Sequence, residues 1–298
     1  MQIFKVKVVT FFSGERSISV LKEKLSEQKK VKIHHIILKD LPLGIAEREF
    51  HNILVNTAEE YDFVIKIDAD MVPKYKDSIF KMCLILKSAN TSRLTLQLLD
   101  LYTNMQIFGI HAFSNLEGYQ SFYLDKLPEN DIWISKTKGL SIRSNQNILF
   151  YHGVDPSNEQ LIRFGYQRGS KLKNASWGHG HWIIAQAIHK NFKKEDSEKN
   201  LLIYFGLLLG MDLLNQSKYS FATINEFNTK VDQLIAQIHN HDLMDIIYSF
   251  RNKLGFYPAA TPAYKKIIFI GFIKLIEIKN ILSALMGNRR IHRLIKNN

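Results

Sequence analysis

The chain has 298 residues, of which 46% are hydrophobic and 23% are charged. This is the composition of an ordinary globular protein with a sizeable core, and it excludes wholesale disorder. Cys83 is the only cysteine, so an intramolecular disulfide is excluded and nothing in the cysteine content indicates secretion. The first residues lack the basic, apolar and small-residue pattern of a signal peptide. We therefore expect a cytoplasmic protein.

The net charge of +12 is concentrated towards the end of the chain. From residue 263 onward there are eight Lys and Arg residues and a single acidic residue, Glu277. An excess of basic over acidic residues favours nucleic acid, an anionic membrane surface or a phosphate-bearing substrate as the partner. The same segment is rich in aliphatic residues, which predicts an amphipathic helix attached peripherally to the cytoplasmic face of the inner membrane. The alternative is a helix that packs on the protein and carries a solvated basic tail.

The first third of the chain alternates between strand and helix patterns. Short apolar runs rich in β-branched residues predict the strands, and apolar residues at helical spacing predict the helices. This order with short connections indicates a parallel sheet with helices on its faces, which binds ligands at the carboxyl ends of its strands. In chain order, the predicted elements are a strand over Val6–Phe12, a helix over Ser17–Gln28, a strand over Val31–Leu38, a helix from about Ile45 to Glu60, a strand over Phe63–Ile67 and a helix ending near Leu86.

The sequence pattern in the centre of the chain predicts strands with mixed parallel and antiparallel pairing. The pattern in the last third predicts helices. The fold class is therefore α/β: a Rossmann-like mixed sheet with helices on both faces, plus a C-terminal helical region. We place the domain boundary at residue 180, with a nucleotide-binding and catalytic domain over 1–180 and a helical region over 181–298. The later predicted elements are strands over Leu94–Leu99, Gln106–Phe113 and Asn147–Tyr151, a helix over Pro156–Leu172, a buried helix over Leu201–Leu214 and one or two amphipathic helices over Phe221–Leu254.

Asp68 and Asp70 directly follow the buried strand Phe63–Ile67. Two carboxylates at positions i and i+2 just past a strand can point into one cleft. Their oxygens are hard ligands suited to Mg²⁺ or Mn²⁺, and such ions bridge to substrate phosphates and neutralise a leaving diphosphate. The alternative interpretation is a pair of solvated turn residues that cap the next helix.

Three segments of the chain resemble GT-A glycosyltransferases, especially the family 2-like bacterial enzymes. Residues 63–71 resemble their DXD segment, residues 8–16 occupy the place of their first strand and nucleotide-binding loop, and residues 44–52 resemble the helix start before the DXD strand. The resemblance covers roughly residues 4 to 175 and implies the GT-A fold. One departure is that the second strand runs straight into Pro42, where family 2 enzymes usually place another strand and helix.

The resemblance implies a hexosyltransferase-type enzyme. It would move a sugar, with inversion, from a nucleotide-diphosphate donor to a cell-surface glycan or glycolipid such as lipopolysaccharide or capsule. A UDP-sugar is our first expectation for the donor, although the shortened chain before Pro42 leaves the base open. The implied nucleotide-sugar contacts are Phe12, Ser13, Glu15, Arg16, Asp40, Arg48, Asp68 and Lys171.

The resemblance also implies metal ligands and a general base. Asp70 is the expected direct ligand of Mn²⁺ or Mg²⁺, with Asp68 on the ribose or a metal-bound water, and His152 is a further ligand. His152 could instead be a strand-end histidine bonded to backbone. An inverting transferase needs a base that deprotonates the acceptor hydroxyl. We expect Asp131 in this role, with Glu129 second; an exposed acidic turn is the alternative.

The sequence is compatible with two other functions. Nucleotidyltransferases share the sheet type, but they usually carry a phosphate loop richer in glycine than residues 11–16. A basic nucleic-acid-binding protein is the non-enzymatic alternative; we find no nucleic-acid motif and expect no nucleic-acid partner. His179 and His181 lie among aromatic residues without a nearby acidic or cysteine partner, so we interpret them as structural. The alternatives are a loop near the acceptor and a metal site.

Overall fold

The computed structural model describes residues 2–56, 60–114, 139–142, 148–174, 179–214, 224–238 and 241–251, and the positions 278, 282, 285–287 and 289. Most of the basic segment after residue 263 therefore lies outside the described residues. The strands are β1 (Phe4–Phe12), β2 (Val31–Lys39), β3 (Phe63–Asp68), β4 (Met71–Pro73), β5 (Arg93–Asp100), β6 (Met105–Phe113), β7 (Gly139–Ile142) and β8 (Phe150–His152). The helices are α1 (Ile18–Ser26), α2 (Leu43–Asn56), α3 (Ser78–Ser88), α4 (Asn158–Asn174), α5 (His179–Lys194), α6 (Glu198–Gly210), α7 (Ile224–Gln237) and α8 (His241–Ser249).

All of these strands belong to one mixed sheet. Its order is β2-β1-β3-β6-β5-β8-β4, and β7 pairs with β5 beside this path. Strand β1 runs parallel to both β2 and β3, which confirms the predicted parallel beginning. Strand β6 is antiparallel to β3, β8 is parallel to β5, and β4 is antiparallel to β8. The predicted α/β fold with mixed pairing in its centre is thus confirmed.

Helices cover both faces of the sheet because β3 is apolar on both sides. Ile65 and Ile67 belong to the core cluster that includes residues of α1 and α3. Val64 points to the opposite face, where it packs with Phe50 and Leu54 of α2. Side chains alternate along a strand, so Lys66 and Asp68 lie on the α2 face with Val64. This alternation brings Asp68 to the carboxyl end of β3 on the side of α2.

The described chain divides into two compact units. The first comprises Met1–Asp100, Gln106–Asp155 and Ile278–Asn298, and the second comprises Leu101–Met105 and Pro156–Glu277. The boundary that we placed at residue 180 stays a prediction. In the second unit, α6 is buried from Asn200 to Gly210, which confirms the predicted buried helix. Among the described residues, no helix combines the length and the apolar content needed to cross a membrane.

Candidate active site

The turn that carries Asp68 and Asp70 is fixed to the first strand and the first helix. The amide of Ala69 donates to the carbonyl of Phe11 at 3.1 Å. The buried hydroxyl of Ser17, just before α1, donates to the carbonyl of Ala69 at 3.1 Å. These two hydrogen bonds hold the backbone of Ala69 from both sides. They therefore fix the positions of the flanking residues Asp68 and Asp70 at the edge of the sheet.

Three neighbouring strands align a row of polar side chains at this edge. In the pairing of β4 with β8, Met71 lies opposite His152, and in the pairing of β5 with β8, Asp100 lies opposite His152. The amides of Gly153 and Val154 donate to the carbonyl of Asp70 at 3.0 and 3.3 Å, which holds the end of β8 against the turn. The lateral register therefore brings Asp70, His152 and Asp100 together, although His152 and Asp100 are 52 residues apart in the chain.

His152 lies between two carboxylates. Its Nδ1 is 2.7 Å from Oδ1 of Asp100, and its Nε2 is 3.4 Å from Oδ2 of Asp70. The side chain of Asp100 is 1% exposed, whereas those of His152 and Asp70 are 14% and 15% exposed. The buried end of this row is thus Asp100, and the end that solvent can reach is Asp70.

Burial dominates the electrostatics of the two aspartates. It raises the pKa of Asp68 and of Asp70 by disfavouring their charged forms. Burial lowers the pKa of His152, but the hydrogen bond with Asp100 and the charges of Asp70, Asp100 and Asp68 outweigh it, so that the pKa is raised overall. A nearby cation would stabilise the charged forms of these carboxylates, which burial disfavours.

The loop after β1 adds a fourth acid, Glu15, to the surroundings of the site. The amide and the hydroxyl of Ser13 donate to the carboxylate of Glu15 at 2.7 and 3.0 Å. The charge of Glu15 raises the pKa of both Asp68 and Asp70. Glu15 therefore adds negative charge to the surroundings of the two aspartates. The exposed Arg16 pairs with Asp155, with 3.6 Å between Nη2 and Oδ1.

The other predicted nucleotide contacts are more dispersed. Phe12 is half-buried at the end of β1, and its carbonyl accepts from the amide of Asp40 at 2.8 Å. Asp40 adopts a φ of 52°, and its exposed carboxylate lies beside Lys39. Arg48 is exposed on α2, and Lys171 is exposed on α4 in the second unit. The general-base candidates Asp131 and Glu129 lie outside the described residues, so both stay predictions.

The facing donors of Asp70 and His152 fit a divalent cation. Adjacent ligands of an octahedral ion, each at about 2.1 Å, lie about 3 Å from one another, and the 3.4 Å between Oδ2 and Nε2 is close to this spacing. Mg²⁺ usually keeps several waters and takes only one or two carboxylates plus substrate phosphates. In the part of the chain that the structure describes, no group of three His, Cys, Asp or Glu side chains could hold a metal ion.

Two features of the site were not predicted from the sequence. One is Asp100, although it ends an apolar strand as Asp68 does. The other is an ion pair on the α2 face, in which Nζ of Lys66 is 2.5 Å from Oε1 of Glu47. Lys66 also lies 4.4 Å from the centre of the Phe11 ring, and its charge lowers the pKa of Asp68 against the effect of burial. This ion pair thus forms part of the surroundings of the site.

Comparison with known proteins gives fold-level similarities of low strength. No family model matches the chain, and no curated protein matches it. The solved A197 protein from STIV is similar with a TM-score of 0.36 and 11% identity, over 48% of this chain and 82% of that one. A mannosyltransferase from Pyrobaculum calidifontis, solved with GDP-mannose and Mn²⁺, is similar with a TM-score of 0.38 and 9% identity, over 84% and 86%. Similarities at these TM-scores assign neither a family nor an activity, so the geometry of the site carries the functional argument.

Proposed function

We propose that this chain is a metal-dependent glycosyltransferase that moves a sugar from a nucleotide-diphosphate donor to a glycan or glycolipid acceptor. The observation that carries the proposal is the facing pair of Asp70 and His152 beside Asp68 at the carboxyl edge of the sheet. Open α/β sheets bind ligands at this edge, and a carboxylate–imidazole pair suits a cation that bridges to phosphates. The resemblance of residues 63–71 to a DXD segment supports the same chemistry.

Each residue of the site has a part in this proposal. A bound Mg²⁺ or Mn²⁺ would neutralise the charge that develops on the diphosphate as the sugar leaves. Asp70 and His152 would hold that ion, and Asp68 would contact the ribose or a water on the ion. Glu15 accepts two hydrogen bonds from Ser13 within the loop after β1. This loop, together with Asp40 and Arg48, would contact the nucleotide.

The acceptor side of the proposal rests on sequence patterns. Asp131 would deprotonate the acceptor hydroxyl, and Glu129 is the second candidate for this base. The basic segment after residue 263 supports an acceptor presented at an anionic membrane surface, on the cytoplasmic side. We keep a UDP-sugar as the first donor to test.

Binding of nucleotide diphosphates tests the proposal. We expect UDP, GDP, CDP or dTDP to bind with Mn²⁺ and to bind at least about tenfold more weakly without it, as measured by calorimetry. Asp70→Asn should lose this metal-dependent gain because it removes one of the two facing donors. Asp62→Asn is the matched control, since Asp62 precedes the opposite end of β3 and bonds the amide of Lys5. The proposal would be refuted if no nucleoside diphosphate binds. It would also be refuted if the affinity is the same with and without Mn²⁺ and in wild type and Asp70→Asn.

The products distinguish this activity from nucleotidyl transfer. A glycosyltransferase cleaves the bond between the sugar and the diphosphate, so slow hydrolysis of a nucleotide sugar releases a nucleoside diphosphate. A nucleotidyltransferase instead joins a nucleoside triphosphate to a sugar phosphate and releases pyrophosphate. Chromatography of both reactions with Mn²⁺ separates the two, and pyrophosphate as the product would contradict our assignment.

A further inference from the structure

The carboxylate of Asp100 is the most buried acid of the site, and the residue as a whole is 0% exposed. Burial of a carboxylate costs free energy unless hydrogen bonds or charges compensate for it. The adjoining positions of β5 are apolar, with Leu96 and Leu98 almost completely buried. An aliphatic residue would suit this environment better than a charged one, so the presence of Asp100 calls for a specific interaction.

The hydrogen bond with His152 is such an interaction. Oδ1 of Asp100 lies 2.7 Å from Nδ1, a short distance typical of a charge-assisted hydrogen bond. An ionised carboxylate only accepts hydrogen bonds, so beside an ionised Asp100 it is Nδ1 that carries the proton. In the neutral ring, Nε2 is then the unprotonated nitrogen, and Nε2 is the atom that faces Asp70.

We propose that Asp100 is a positioning residue that holds the ring of His152 in the tautomer and the orientation in which Nε2 can bind the metal ion. The metal part of this inference rests on the proposed function; the tautomer part does not. The register of β4, β8 and β5 fixes the backbone of His152, but it leaves the ring free to turn about its side-chain bonds. The bond to Asp100 removes this freedom, as carboxylate partners of ligating histidines generally do.

The tautomer of His152 is measurable in the metal-free protein. In wild type labelled with ¹⁵N-histidine, the ring nitrogens should show Nδ1 protonated and Nε2 unprotonated at alkaline pH, where the ring is neutral. The chain has 11 histidines, so His152→Gln identifies the signal by its loss. A neutral ring protonated on Nε2 in wild type would overturn the inference, whether or not any variant folds.

Metal affinity is the second measurement. Asp100→Asn keeps the volume of the side chain, but its amide can donate to Nδ1 and shift the proton to Nε2. Mn²⁺ should then bind about 10–100-fold more weakly, the usual effect of losing such a partner. Thr95→Val is the matched control, because Thr95 is also buried on β5 and its hydroxyl lies 3.1 Å from Nδ1 of His111. It should leave Mn²⁺ affinity unchanged.

A double-variant cycle separates positioning from general structural support. When His152 is already replaced by Ala, Asp100→Asn should cause no further loss of Mn²⁺ affinity, because its effect acts through the ring. Equal losses on both backgrounds, or an unchanged affinity in folded Asp100→Asn, would overturn the inference. If wild type does not bind Mn²⁺ at all, the proposed function fails, and the tautomer measurement still decides the role of Asp100.

Discussion

Lys66 and Glu47 place a nearly buried ion pair next to the turn with the two aspartates. Their side chains are 11% and 13% exposed, and the charged atoms are 2.5 Å apart. Removing one member of such a pair leaves the other charge buried without compensation, which destabilises far more than the pair as a whole stabilises. The two residues should therefore depend on each other much more than exposed ion pairs do.

We predict that Lys66→Met lowers the free energy of unfolding by about 3–5 kcal/mol. Adding Glu47→Leu should recover most of this loss, because both buried charges are then gone. Urea unfolding followed by circular dichroism measures the effect. Lys81→Met is the control, since it breaks the more exposed i,i+4 pair with Asp77 and should cost less than about 1 kcal/mol. A double variant as unstable as the two single losses added together would contradict this prediction.

At the level of single residues, the sequence pointed to the parts of the site that local pattern encodes. Asp68 and Asp70 follow an apolar run, and Ser13 and Glu15 follow another, so each pair had a local signal. Asp100 also ends a strand, but its partner is 52 residues away. Which strand lies beside β5 depends on packing of the whole sheet, so its contact with His152 could not be predicted from spacing. The ion pair of Lys66 with Glu47 escaped prediction for the same reason.

Helices α4 and α6 pack with their backbones in direct contact. A Cβ atom on Gly165 would lie 2.0 Å from the carbonyl oxygen of Ile203, and one on Gly206 would lie 2.1 Å from that of Ile162. Gly169 and Gly210, one turn further along, are equally close to the opposite backbone. Backbone atoms cannot move aside as the end of a flexible side chain can, so these positions of the helix pair accept only glycine.

We predict that Gly165→Ala lowers the free energy of unfolding by about 3 kcal/mol or more, because the new methyl group separates the two helices. This loss should appear although alanine favours an isolated helix by about 1 kcal/mol over glycine. Gly44→Ala is the matched control: Gly44 lies in α2 with nothing within 4 Å of a new Cβ, so that variant should be as stable as wild type or more stable. Equal thermal stability of the two variants would refute the close packing.

The order and type of the longer elements followed from periodicity, whereas the shortest strands did not. Predicted β1, β2, β3 and α4 differ from the observed elements by a few residues at their ends. Strands β4 and β7 have three and four residues, too few to show an alternating pattern. Asp70 and His152 were expected together only from the resemblance, whereas the pairing of β4, β8 and β5 that adds Asp100 to them had no signal in the sequence.

The stability of the whole molecule should depend on pH through two histidines of the first unit. Burial lowers the pKa of His35, with a smaller contribution from the charge of Lys22, and burial lowers the pKa of His51. In the unfolded chain both titrate at about 6.5. As the pH falls below this value, the unfolded chain takes up protons that the folded chain does not, so the free energy of unfolding decreases.

We therefore predict that the double variant His35→Gln/His51→Gln has a flatter stability profile than wild type between pH 7.5 and pH 5. Urea unfolding at several pH values measures the slope, and the slope is unaffected by a constant loss of stability from the replacements themselves. All other titrating groups are shared by the two proteins and cancel in the comparison. Parallel stability profiles would show that the rings of His35 and His51 take up protons as readily in the folded protein as in the unfolded chain.

The row of Asp70, His152 and Asp100 gives the Asp70–His152 pair a spacing that does not depend on how much chain lies between its strands. The pair is set by the pairing of β4, β8 and β5, and lengthening a connecting loop twofold costs only about 0.6 kcal/mol. The segment between β6 and β8 can therefore change in length or sequence while the pair stays in place. That segment contains Asp131 and Glu129, so under the proposed function a lineage could diversify its acceptors without changing the residues proposed to hold the metal ion.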